Sequence, residues 1–154
     1  MTLAVGDKAP ALTLPVSGGG ELSLAKFKGK PVVVYFYPKD NTSGCTKEAQ
    51  DFQAAMPKFK KAGAEVIGIS KDPVASHDKF SAKFGLAFPL LADTEGKACE
   101  AFGTWVEKSL YGRKYMGIER ATFVIDAKGV VRHVWRKVKV PGHVDQVLAA
   151  VQSL

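Results

Sequence analysis

The alternation of apolar and polar residues changes period several times along this chain. Residues 31–38, Pro-Val-Val-Val-Tyr-Phe-Tyr-Pro, form an unbroken apolar run. Its length and β-branched content predict a strand buried on both faces. Pro38 has no N–H to give a neighbouring strand and marks the end of this one. From Ser43 the period becomes helical, with Ala49, Phe52, Met56 and Phe59 recurring at steps of three and four. Pro57 falls inside that pattern and predicts a kink or split near Met56; Gly63 predicts the stop. Residues 65–70 predict a second buried strand. Residues 74–84 predict a helix with Phe80 and Phe84 inward, stopped by Gly85. A short strand at 88–91 and a short helix at 95–102, stopped by Gly103, follow. Residues 122–126 and 130–138 read as strands joined by a hairpin turn at Ala127-Lys128-Gly129. Residues 143–151 close the chain as a helix with Val144, Val147, Leu148 and Val151 on one face. The Gly18-Gly19-Gly20 stretch reads as a turn.

Alternating strands and helices imply parallel strands joined by right-handed crossovers, and the late hairpin adds antiparallel ones. The expected fold is α/β, a mixed central sheet with helices on both faces, built as one domain over residues 1–154. The composition, 46% hydrophobic and 24% charged, supports a core of that size. Residues 1–10 lack the apolar run and cleavage site of a signal peptide. No stretch of about 18 apolar residues suggests a membrane span. The chain is therefore expected in the cytoplasm. Its net charge of +7 comes from 22 basic and 15 acidic residues, with lysines spread from Lys8 to Lys139. The densest basic stretch, 132–139, alternates with Val131, Val134 and Val138 as the wet face of a strand would. No nucleic-acid partner is expected from such a pattern.

Chemistry narrows to two cysteines, Cys45 and Cys99. In the segment Pro38-Lys39-Asp40-Asn41-Thr42-Ser43-Gly44-Cys45, a strand ends, a polar loop follows, and a cysteine enters the first turn of a helix. The free N–H groups there carry partial positive charge, which favours the nucleophilic thiolate. The polar neighbours Ser43, Gly44, Thr46 and Lys47 suggest a partly wet turn rather than a core position. Thr42 fits a helix N-cap, and it equally fits a hydroxyl within reach of the sulfur. Arg120 opens the late strand at its mouth, either as a surface residue or as a fixed donor beside the thiolate. Glu48, one helical turn past Cys45, reads as a loop anchor or as an exposed carboxylate. His77, His133 and His143 are scattered and read as structural or solvated. No spacing resembles a zinc site.

Taken together these segments resemble the peroxiredoxin family. Residues 35–40 (Tyr-Phe-Tyr-Pro-Lys-Asp) followed by 42–48 (Thr-Ser-Gly-Cys-Thr-Lys-Glu) are similar to its peroxidatic loop, in which a Pro, a Thr or Ser and a Cys stand at fixed intervals. Residues 115–126 are similar to the segment bearing its active-site arginine, and residues 66–70 and 88–93 also match. The likeness covers nearly the whole chain and is greatest to the Q-type branch, the bacterioferritin comigratory proteins. It implies a thioredoxin-like fold and a thiol-dependent peroxidase acting on hydrogen peroxide and organic hydroperoxides without a metal or organic cofactor. Cys45 would be the attacking cysteine and pass through a sulfenic acid. Thr42 would hydrogen-bond the sulfur and the peroxide, Pro38 would shield the sulfur from water, and Arg120 would stabilise the charge moving onto oxygen. The Q-type likeness also favours a monomer.

The chain departs from that pattern at the second cysteine. Many Q-type members carry a resolving cysteine five residues after the first, where this chain has Gln50. Others carry it in the next helix, near Ser81, again without a cysteine here. Cys99 reads either as a half-buried helix residue or as a resolving thiol, the latter requiring a Cα–Cα approach to Cys45 of roughly 4.4–6.8 Å. The expectation is a one-cysteine cycle in which an external thiol, thioredoxin or a small thiol such as glutathione, reduces the sulfenic acid. Two rivals stand beside it. A thioredoxin-type oxidoreductase needs a Cys-x-x-Cys pair, whereas Thr46, Lys47 and Glu48 follow Cys45. A non-enzymatic redox sensor or holdase would use the same activated cysteine as a signal.

Overall fold

A computed structural model describes residues 3–154. Met1 and Thr2, the first residues of the expected domain, lie outside the described residues. In chain order the elements are β1 (Thr13–Pro15), β2 (Glu21–Ser23), a 3-10 turn (Leu24–Phe27), β3 (Val32–Phe36), α1 (Ser43–Lys61), β4 (Glu65–Ser70), α2 (Val74–Phe84), β5 (Leu90–Ala92), α3 (Lys97–Phe102), β6 (Trp105–Leu110), β7 (Arg113–Ile118), β8 (Ala121–Ile125), β9 (Val131–Trp135) and α4 (His143–Gln152). The central sheet has five strands in the order β5-β4-β3-β8-β9. β3 pairs parallel with β4 and antiparallel with β8. This is the mixed α/β arrangement of the thioredoxin-like fold.

Every residue of β3 is buried, because the strand is the middle of the sheet and both its faces are covered. Val33 and Tyr35 point to one core, with Ala49, Phe52 and Phe59 of α1 and Val144 and Val147 of α4. Val32, Val34 and Phe36 point to the opposite core, with Ala98, Cys99 and Phe102 of α3. The two-residue period of a strand thus divides the interior into two compartments, one on each side of the sheet.

Several expectations need correction. Pro57 does not split its helix: α1 runs unbroken to Lys61. Pro57 is on the exposed face, while Met56 and Phe59 on the inner face hold the helix to the sheet. β9 ends at Trp135, and Arg136 does not extend a wet strand face. Its guanidinium turns inward, donating to the carbonyls of Leu3, Phe102 and Gly103 and to Glu119. The Gly18–Gly20 turn is the connection of a β1–β2 hairpin whose strands are too short to show a period. The β6–β7 hairpin was also not anticipated. Its strands are mostly exposed and lack an apolar face, and its two-residue turn, Tyr111-Gly112, has positive φ at both positions (51° and 77°).

Candidate active site

The carboxyl end of β3 and the start of β8 lie side by side, since Phe36 pairs with Ala121. Two segments therefore converge there: the loop leading from β3 into α1, and Arg120 immediately before β8. Cys45 is the third residue of α1. Its turn closes with a 2.8 Å bond from the Thr46 N–H to the Thr42 carbonyl, leaving the earlier N–H groups of the helix without intrahelical acceptors.

Arg120 bridges two side chains of α1. Nη1 donates to Glu48 Oε1 at 2.8 Å and Nη2 donates to Cys45 Sγ at 3.4 Å. Gly44 makes this approach feasible: a Cβ there would lie 3.2 Å from Arg120 Nη2. Cys45 is 1% exposed, so the sulfur is enclosed, although the residues just before it, Asn41 to Ser43, are exposed. The sequence suggested a partly wet position; the helix start is wet and the sulfur is not, because Arg120 and the sheet close over it.

Glu48 is fully buried, which settles the choice between anchor and exposed carboxylate in favour of the anchor. Burial pushes its carboxyl up to about 7, against the pull of Arg120. Oε1 is taken by Arg120, and Oε2 has no hydrogen-bond partner. Burial alone would lower the Arg120 value, but Glu48 and then Cys45 hold it above the ordinary arginine range. Lys108, half-buried on β6, is a second cation near the sulfur. Burial first, then Arg120, lowers its value, while Cys45 raises it. Sequence reading missed Lys108 because the hairpin that carries it was not recognised.

Thr42 occupies the N-cap position of α1 with extended backbone, but its side chain makes no cap bond. Its Oγ1 donates to the Lys39 carbonyl at 2.9 Å instead, and it makes no bond to Cys45. The N-cap expectation is corrected accordingly: the hydroxyl tightens the loop, not the helix. Pro38 is exposed at the end of the strand. Two of the histidines are buried. His143 accepts or donates a 2.7 Å bond with Thr122 Oγ1, and burial lowers its value to about 4. His77 lies in a polar cluster behind the loop.

Cys99 is not brought to Cys45. It is fully buried in α3, in the compartment on the other side of the sheet. Its N–H and that of Ala98 donate to the Asp93 carboxylate, which closes the helix start. Burial, then Asp93, pushes its thiol up to about 12. Among the described residues the only grouping of three potential metal ligands is Asp40, Asp72 and His77. All three are engaged in hydrogen bonds within the protein. Among the described residues no helix is long and apolar enough to cross a membrane.

The model of the AhpC/TSA family matches residues 5–134. Peroxiredoxin Bcp of Bacillus subtilis is 46% identical over 154 residues, covering 100% of this chain and 98% of the relative. Peroxiredoxin Bcp of Xanthomonas campestris is 51% identical over 142 residues, 92% of this chain and 89% of the relative. Among solved structures, the bacterioferritin comigratory protein of Xanthomonas campestris, studied for its alkyl peroxide reduction activity, superposes with a TM-score of 0.90. It is 47% identical and covers 96% of this chain and 98% of its own. A cysteine-to-serine form of Xylella fastidiosa PrxQ superposes with a TM-score of 0.94 at 38% identity, covering 99% and 98%.

Proposed function

The chain belongs to the AhpC/TSA family, in its peroxiredoxin Bcp branch, and is a thiol peroxidase; from that premise we propose that Cys45 is the attacking residue. The observation that carries this reading is the 3.4 Å bond from Arg120 Nη2 to Cys45 Sγ, with Nη1 fixed on Glu48. A guanidinium held by one anion presents its second edge where negative charge sits on sulfur and then moves to oxygen.

In the first half-reaction the Cys45 thiolate attacks the terminal oxygen of the hydroperoxide. An S–O bond forms, the O–O bond breaks, and its electron pair leaves on the other oxygen, which takes a proton as water or alcohol. Cys45 is left as a sulfenic acid. Arg120 faces both sulfur and incoming oxygen. Thr42 supplies a hydroxyl to the bound peroxide, exchanging its present partner, the Lys39 carbonyl, as the peroxide enters. Pro38 covers the mouth of the loop.

The enzyme takes a hydroperoxide and a thiol reductant. The reductant we propose is external, thioredoxin or a small thiol. Its thiol displaces water from the sulfenic acid to give a mixed disulfide, and a second thiol releases Cys45. Two observations support a one-cysteine cycle. Cys99 is on the far side of the sheet. Two solved forms of Xanthomonas Peroxiredoxin Q each carry serine for one cysteine, at positions separated by the interval that here separates Cys45 from Ser81. The corresponding thiol is thus absent. We also propose that the chain acts as a single-domain monomer in the cytoplasm.

Intact mass after one equivalent of hydrogen peroxide, with a sulfenic-acid trap present, tests the reading. A trap adduct mapped to Cys45 is expected. Loss of two hydrogens with no adduct would mean that Cys45 and Cys99 pair, and would overturn the one-cysteine cycle.

A further inference from the structure

Asp40 is the one buried residue between Pro38 and Ser43, in a loop otherwise exposed. Its side chain is held by three donors. The Tyr37 hydroxyl donates to Oδ1 at 2.6 Å, the Ser76 hydroxyl donates to Oδ2 at 2.8 Å, and His77 Nδ1 lies 2.7 Å from Oδ2. Its own N–H donates to Asp72 Oδ2 at 2.8 Å. His77 is 0% exposed, and its Nε2 lies 2.9 Å from the Leu91 carbonyl. A carbonyl only accepts, so Nε2 carries a hydrogen and Nδ1 shares one proton with Asp40. The ring therefore spans from the sheet edge at β5 to the loop, with neither nitrogen spare. The next residue, Asn41, has φ of 61°, a left-handed turn position that asparagine tolerates better than most L-residues.

We propose that His77 and Asp40 are positioning residues for the peroxidase reaction: together they latch the Cys45 loop in the conformation that receives peroxide. This rests on the reading of Cys45 as the attacking residue. The latch ties the loop, through Ser76 and His77, to α2 and so fixes the residues that lead into α1 and Cys45. Peroxide is small enough to reach a sulfur that is 1% exposed. A thiol reductant is larger, and it reaches the sulfenic acid only when the loop moves. The latch thus favours the first half-reaction and opposes the second.

The test uses His77→Gln, Asp40→Asn and the milder Ser76→Ala in the full chain, with three rate constants read for Cys45. These are oxidation by hydrogen peroxide, alkylation by iodoacetamide, and reduction of the sulfenic acid by dithiothreitol. Oxidation is expected to fall by about ten- to a hundredfold in His77→Gln and Asp40→Asn, the cost of misplacing a reacting group by about 1 Å. Ser76→Ala, losing one bond of three at a half-exposed position, should fall about threefold. Alkylation and sulfenic-acid reduction should hold or rise, because both need only access. Oxidation within twofold of wild type in all three variants would overturn the proposal. So would a parallel fall of all three rates, which marks general loss of structure. Failure of the Cys45 reading would show separately, as wild-type oxidation without an adduct on Cys45.

Discussion

The two cysteines share one sheet and almost the same degree of burial, yet their surroundings prepare them for opposite fates. Cys45 lies in the first turn of a 19-residue helix, whose opening N–H groups have no intrahelical acceptor, and the Arg120 guanidinium donates to its sulfur. Cys99 is in a six-residue helix closed by the Asp93 carboxylate, and its thiol is pushed up to about 12. Solvent exposure does not separate them. The nearest charged group does: a guanidinium donates to the Cys45 sulfur, whereas a carboxylate holds the start of the Cys99 helix, where burial adds its own larger push to the thiol.

The sharpest way to break this comparison is to exchange each sulfur for oxygen. Cys45→Ser is expected to reduce hydroperoxide consumption to background, and Cys99→Ser to leave turnover near wild type. Loss of turnover in Cys99→Ser with its oxidation step intact would assign Cys99 the resolving role. Next in size is Arg120→Met. It should slow oxidation of Cys45 about a hundred- to a thousandfold, the usual cost of removing a donor aimed at developing charge, as read by stopped-flow fluorescence. Gly44→Ala pushes a methyl to 3.2 Å from Arg120 Nη2 and should cost about threefold to tenfold in the same measurement, since the guanidinium must retreat by tenths of an ångström. Cys99→Ala should leave that rate constant unchanged while removing about 1–2 kcal/mol of stability, the cost of a small cavity.

The smallest effect concerns acid. His143, on the Cys45 side of the sheet, has its value lowered from 6.5 to about 4. Between those values the unfolded chain binds a proton that the folded chain refuses, so acidification through this window destabilises the fold. Glu48, raised from 4.5 to about 7, works in the opposite direction between its two values. Replacing His143 with Gln removes only the first of these, so on going from pH 6.5 to 4.5 the variant's Tm should end about 3–6 °C higher, relative to its own value at pH 6.5, than wild type's does. Equal slopes for variant and wild type would show that this ring does not govern acid stability.

The fold was legible where burial imposes a period. β3, β4, α1, α2 and α4 follow from apolar runs and three- or four-residue steps because each meets the core along its length. The two small hairpins were not, because a strand of three residues or one with both faces in solvent carries no period to read. At the site, Cys45 and Arg120 were named from the sequence, but no spacing told that two segments 75 residues apart touch. From sequence Glu48 fits an anchor and an exposed carboxylate equally, since a helix carboxylate acquires its meaning only from the element packed against it. Thr42 was placed correctly at the cap position, and its hydroxyl went to Lys39 because the left-handed Asn41 brings that carbonyl close.

The forked contact of Arg120 has one further consequence. With Glu48 ionised and Cys45 a thiolate, two negative groups adjoin the Arg120 guanidinium, the Lys108 charge acts on the sulfur from farther off, and the pocket is close to electroneutral. On the proposed reading of Cys45 its sulfenic acid carries no charge, so each oxidation would leave the same pocket with an excess of about one positive charge. The next reactant is itself an anion, the thiolate of the reductant. Oxidation thus recharges the pocket in favour of the molecule that must come second, and the alternation of substrates is written into the change of sign.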